Sequence, residues 1–328
     1  MASASFYFPL SSSSAHLLVS FFGMSYVGSL YLTKYTRLSF RPAAQPPQSE
    51  QDYGRRPNDR GRDDLEVIQA RLVAVTAATI LNCLVVFWTI RSIGRGISDG
   101  SSSAVDVTTA YLGLKLPTLS LESIYPHLLA PILFIGPLYA HYLFESLPFQ
   151  RKWNFQLNVV DQLFSWIGIR NYFMAPITEE LVFRSCVLSV YHLAGVSRNK
   201  LIFLAPLAFG FAHVHHAWEN YNRLGRTPAA AKRAIFMSLF QLAYTTLFGF
   251  YTSYVFLRTG SIYPAISSHI FCNFMGVPQL GYELSVFPTK KIALWITYFA
   301  GIIGFFWNLS TYTRSSSSIY WTNTSASL

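Results

Sequence analysis

Glu179, Glu180 and Arg184 sit in the middle of Tyr172–His192, a mostly apolar stretch about as long as a membrane span. A charge at the centre of a hydrocarbon layer costs about 2.5–3.5 kcal/mol per residue on insertion scales, so three together need partners or a wetted cavity. Helical spacing lets Glu180 pair with Arg184 at i, i+4. Glu179 is rotated by about 100° from Glu180 and is left for chemistry. Two later apolar stretches add matching groups: His213, His215 and His216 in Leu201–Trp218, and His269 with Asn273 in Ile262–Leu280. A carboxylate and an imidazole can hold a water between them, the carboxylate taking its proton as the oxygen attacks a carbonyl carbon. A second imidazole and a carboxamide can both donate to the oxyanion formed in that attack. These residue types and spacings point to hydrolysis of an amide or ester in one cavity shared by the three helices.

Rival chemistries use the same residues. Zinc would take His213, His215, His216 and Glu179 as ligands, as catalytic zinc sites do. The sequence holds no HExxH or HxxEH, and i, i+2 spacing sets His213 and His215 on opposed faces of a helix. His215 and His216 fall where the span meets a basic loop and read as interfacial. Cys83, Cys186 and Cys272 lie in apolar segments at spacings that fit neither a disulfide framework nor a zinc site. No metal and no cofactor are expected. Two alternatives stay beside the metal-free hydrolase: a zinc-dependent membrane protease, and a proton- or ion-coupled transporter or lipid-binding scaffold. Internal repeats of the inverted kind found in many transporters are not visible.

The elements that must position these groups are set by composition. Of 328 residues, 52% are hydrophobic and 12% charged, where soluble domains average about 25% charged. The expected fold is all-α, a polytopic membrane bundle of about eight transmembrane helices. Residues 1–33 hold a first, retained span and 34–68 a polar, Pro- and Arg-rich cytosolic linker with the composition of a disordered segment. Spans two and three fill 69–147, a catalytic core with spans four to seven fills 148–282, and the last span and a short tail fill 283–328. The net charge of +10 lies largely in short loops, where it sets topology and meets anionic lipid rather than nucleic acid. Loops after the odd-numbered spans carry more Lys and Arg, which places them in the cytosol and both termini, with the Asn323 sequon, in the lumen.

At Glu179-Glu180-Leu181-Val182-Phe183-Arg184, Phe209 to His213, and His269 to Asn273, the chain resembles the Ras-converting CAAX prenyl endopeptidases, glutamate-type intramembrane proteases. The three motifs, EExxxR, FxxxH and HxxxN, occur in the family's order on separate spans. The resemblance implies that Glu179 activates water, that His213 helps hold it, and that His269 and Asn273 stabilise the oxyanion. Arg184 would orient the acidic pair through Glu180, although the residues alone do not decide which glutamate is the base. The implied partners are farnesylated or geranylgeranylated CAAX proteins, such as Ras-like GTPases and a-factor-like peptides, and membrane lipid. The implied location is the endoplasmic reticulum membrane, with the site open to the cytosol.

Overall fold

The computed structural model describes residues 10–39, 60–94 and 103–321. The middle of the polar linker, the loop after the second expected span, and Asn323 lie outside these residues. Regular structure among the described residues is helical, beside one antiparallel bridge between Ser39 and Arg60. The helices that matter below are α1 (Ser12–Ser29), α2 (Leu65–Gly94), α3 (Ile135–Leu143), α4 (Ala175–Glu180), α5 (Ala205–Ala212), α6 (Pro228–Thr259), α7 (Tyr263–Met275) and α8 (Lys291–Tyr312).

The protein is an all-α polytopic membrane protein. Four helical stretches, Leu65–Gly94, Arg198–Arg223, Pro228–Thr259 and Pro288–Tyr312, are long and apolar enough to cross a bilayer, and the bent pair Leu121–Leu133 and Ile135–Leu143 makes a fifth. The bend of 59° has a local cause. Pro137 has no N–H, and its ring clashes with the carbonyl four residues back, at Leu133, where the helix breaks. The other expected spans are helical as well, but differently built. The first is the 18-residue α1. The fourth is a series of short α and π segments from Trp166 to Leu193. The seventh is α7, whose 13 residues rise only about 20 Å against a hydrocarbon core of about 30 Å. Gly276 ends it at φ 68°, a conformation that favours glycine.

The chain packs as two compact units, each drawn from two separated stretches. The first combines Met1–Thr108 with Leu181–Tyr254. Here Ala15, Val19, Phe22 and Tyr26 are buried along one stripe of α1, at the spacing of four and three residues that makes a helix seam. Asn82 of α2 ties that seam together: its Oδ1 accepts from Ser25 Oγ (2.9 Å) and its Nδ2 donates to the Phe22 carbonyl (3.4 Å). Such interhelical polar bonds hold membrane helices where hydrophobic burial gives no drive for association.

The second unit combines Thr109–Glu180 with Val255–Leu328. Its long helix α8 packs on α3 and on Leu129–Leu133. Gly301 permits the approach, since a Cβ there would lie 2.8 Å from the Leu133 carbonyl oxygen. Tyr298 Oη, also on α8, donates to the buried Glu283 carboxylate at 2.8 Å. The Gly113 carbonyl accepts from Ile262 N (3.1 Å) and the Leu114 carbonyl from Tyr263 Oη (2.9 Å), which pins the start of α7.

Candidate active site

In the second unit, the short α4 carries both glutamates at its C-terminal end. A π-helical segment, Ile169–Met174, precedes it, and another, Leu181–Cys186, follows in sequence. Pro176 accounts for the first: its ring cannot accept the carbonyl of Tyr172 at α-helical distance, and a widened turn relieves the clash. Thr178 Oγ1 bonds back to the Met174 carbonyl at 2.7 Å, which further bends the segment. Widened turns of this kind recur at functional sites because they re-aim neighbouring side chains.

The glutamates meet His269 of α7. Glu180 is fully buried, and its Oε1 lies 2.8 Å from His269 Nδ1. The other ring nitrogen, Nε2, faces Glu179 Oε2 at 3.9 Å. An ionised Glu180 can only accept, so Nδ1 carries a proton and donates it. The ring is thereby fixed in orientation, with Nε2 presented to Glu179. Glu179 keeps 18% of its side chain exposed, against none for Glu180, so only the first carboxylate is open to a water or a substrate. The remaining distance between Glu179 and Nε2 exceeds a direct hydrogen bond, and a bridging water suits it. Asn273, one helical turn along α7, donates from Nδ2 to the Asn171 carbonyl at 2.8 Å. The expected grouping of His269 with Asn273 is therefore joined by a second: His269 with both carboxylates.

The first unit holds Arg184 and His213. Arg184 is fully buried on the π segment, its Nε donating to Thr252 Oγ1 at 2.9 Å. Its guanidinium carbon stands 4.2 Å from the Phe209 ring centroid and 5.7 Å from that of Phe248. Cation–π contact of this kind compensates part of the lost hydration. Gly249 leaves room for the group: a Cβ there would meet Pro206 Cβ at 2.7 Å and Arg184 Nη2 at 3.4 Å. Phe209 also meets His213, edge to face at 4.7 Å between centroids, and its carbonyl faces His213 Nδ1 at 2.8 Å. That carbonyl can only accept, which leaves Nε2 as the His213 acceptor. His215 and His216 are half-buried in the helix that follows, with His216 Nδ1 3.3 Å from Glu219. Among the described residues, no three His, Cys, Asp or Glu side chains converge as metal ligands would.

Sequence reasoning placed Glu179, Glu180, Arg184, His213, His269 and Asn273 on three stretches, and the structure brings the first two together with His269. It did not single out Thr252, Phe248, Gly249 or Asn171. Gly249 and Thr252, three apart in an otherwise apolar helix, are the small and polar spacing that marks a close helix contact. Asn171 acts through its backbone, which no side-chain pattern reveals.

These features define a helical membrane protein with a histidine and two glutamates gathered among its helices. Residues 161–275 match the family described as Type II CAAX prenyl endopeptidase Rce1-like. The chain is 34% identical over 268 residues to a probable CAAX prenyl protease 2 of Schizosaccharomyces pombe, which covers 81% of this chain and 82% of that protein. It is 32% identical over 265 residues to CAAX prenyl protease 2 of Homo sapiens, 78% of this chain and 68% of that one. A shorter match, 40% over 136 residues, joins it to CAAX prenyl protease 2 of Arabidopsis thaliana, covering 42% of this chain and 41% of the relative. No solved structure matches the chain. The chain belongs to the type II CAAX prenyl endopeptidase family.

Proposed function

We infer that the chain is a CAAX prenyl endopeptidase, an intramembrane peptide hydrolase that acts on prenylated CAAX proteins and removes the tripeptide after the lipid-bearing cysteine. The observation that carries the mechanism is His269 held between two glutamates, Nδ1 at 2.8 Å from Glu180 and Nε2 at 3.9 Å from Glu179. Glu179 takes a proton from water, and the water oxygen attacks the carbonyl carbon of the cysteine residue. The Asn273 carboxamide and, in the imidazolium form of the ring, which donates from both nitrogens, His269 Nε2 donate to the resulting oxyanion. When the C–N bond breaks, the proton on Glu179 passes to the leaving amine, so base and acid are one residue and the cycle balances. Glu180 keeps the His269 ring in place and stabilises its charge as the oxyanion develops. The resemblance to the family gives His213 the role of helping to hold the water and Arg184 that of orienting the acidic pair.

Ras-like GTPases and a-factor-like peptides suit this chemistry as substrates, and so does a site in the endoplasmic reticulum membrane that opens to the cytosol. A lipid chain of 15 or 20 carbons partitions into the bilayer at about 0.8 kcal/mol per buried methylene, so a protease that reads it gains by sitting there. Tripeptide release from a farnesylated Cys-a-a-X peptide, measured on purified protein with and without a strong zinc chelator, tests the reading. Release that survives chelation and is lost in Glu179→Gln is expected. Release abolished by chelation and restored by zinc would instead establish the metalloprotease.

A further inference from the structure

An enzyme that cuts three residues from a C-terminus must measure the distance to that terminus, and the end of the chain is a carboxylate. We infer that Arg170 binds the C-terminal carboxylate of the substrate and so sets the length of the released peptide. The inference rests on the endopeptidase reading above.

Arg170 and Asn171 lie in the π segment before α4, in the same unit as Glu179 and His269. Arg170 is half-buried, and its Nε donates to Asn171 Oδ1 at 2.9 Å. The Asn171 carbonyl accepts from Asn273 Nδ2 at 2.8 Å. Arg170 is thus connected through one residue to the carboxamide that stands one turn from His269. Arg170 and Glu179 are nine positions apart, about 13 Å at the rise of a helix and less through the π turn. An extended tripeptide spans about 10 Å, and an arginine side chain covers the remainder. A chain whose scissile carbonyl sits at His269 and Glu179 and which runs past Asn273 has the length to end at Arg170.

The chemistry of the group suits the role. Guanidinium is planar and always charged, and its paired N–H groups match a carboxylate in a bidentate fork, which a lysine ammonium cannot do. It is also weakly hydrated, so it is suited to a half-buried position. A cation here selects a free C-terminus and rejects an internal segment, which carries no charge at the same distance.

The test compares two farnesylated Cys-a-a-X peptides that differ only at the last group, one a free acid and one a primary amide. The full-length protein is used in detergent or lipid, and the quantity read is the ratio of kcat/KM for acid over amide. The wild type should favour the acid by about ten- to a hundredfold, the range of a charge-assisted hydrogen-bonded pair. In Arg170→Gln the ratio should fall to near one, with the loss carried mainly by KM for the acid. In Arg170→Lys it should fall severalfold and stay above that of Arg170→Gln. A wild-type ratio near one, or an Arg170→Gln enzyme slowed equally on both peptides, overturns the inference and makes Arg170 a structural or lipid-facing charge. Should Arg170→Gln prove unstable, Arg170→Lys decides alone, and a ratio at the wild-type value overturns it. Failure of the folded wild type to cleave either peptide would instead remove the endopeptidase reading beneath it.

Discussion

His269 and His216 each face a glutamate, yet their surroundings differ in kind. His269 belongs to the second unit, where Nδ1 lies 2.8 Å from a fully buried Glu180 and Nε2 is turned toward Glu179. His216 belongs to the first, where Nδ1 lies 3.3 Å from Glu219, three residues on along the same helix. Its ring stacks at a tilt on His215, centroids 4.0 Å apart, and Glu219 lies in the field of Arg62 and Arg71. The first pair is long-range in sequence and engages two carboxylates of unequal exposure. The second is local, satisfied within one helical turn, and placed among compensating charges. A histidine and a carboxylate in contact thus occur in two different settings in this protein. What sets the proposed site apart is a second carboxylate facing the other ring nitrogen, with part of its side chain exposed.

The comparison can be broken most directly at its strong end. Glu179→Gln and His269→Ala should each lower kcat for prenylated peptide by about 10²–10⁴-fold, the usual worth of a general base or its partner. His216→Ala should change it by less than about threefold, as expected away from the reacting atoms. A loss in His216→Ala approaching that of His269→Ala would erase the distinction. Turnover of purified variants with matched thermal stability reads it out.

A smaller effect is expected at Glu180. Its neutral isostere, Glu180→Gln, still accepts from His269 Nδ1 but no longer stabilises positive charge on the ring. A loss of about a hundredfold in kcat, with KM within a factor of about two, should follow. An equal loss from Glu179→Gln and Glu180→Gln would mean that the two carboxylates share one proton and one role. The pH profile of kcat for the two variants sharpens this further, since only Glu179→Gln removes the group that must be ionised to act as base.

The smallest expected change lies in the first unit, at the pocket around Arg184. Thr252→Val removes the acceptor of a 2.9 Å bond from a fully buried guanidinium, which costs about 1–3 kcal/mol. Thr252→Ser keeps the hydroxyl and should recover most of it. Gly249→Ala drives a methyl against Pro206 and should cost a similar amount through overpacking. Thermal inactivation in detergent measures all three variants. Equal stability for Thr252→Val and wild type would show that the Thr252 hydroxyl contributes nothing to holding Arg184.

Much of the site was legible because charge in an apolar run is conspicuous. Glu179, Glu180, Arg184, His269 and Asn273 stand out from composition alone, and helical spacing assigns each pair to a face. The resemblance to a known family adds the order of motifs. What stayed hidden has physical causes. For Glu180 the sequence offers a local partner, Arg184 at i, i+4, and gives no sign of a distant one. His269, 89 residues away, enters through packing of α7 on α4. The π turns escaped because Pro176 signals a disturbance without saying whether the helix kinks, breaks or widens. α7 reads as a full span since apolar residues continue beyond it, while Gly276 and Pro278 end the helix early.

The sequence by itself determined that this is a helical membrane protein with carboxylates, imidazoles and a carboxamide inside apolar stretches. Transfer free energy is a property of residues and their order, and a bilayer admits few backbone solutions. Only the tertiary structure decided that His269 is shared by two glutamates, that Glu180 is sealed while Glu179 remains open, and that Gly249 and Thr252 form a slot for Arg184. Those outcomes depend on helix rotation and close approach, to which distant residues contribute together and which no local pattern encodes.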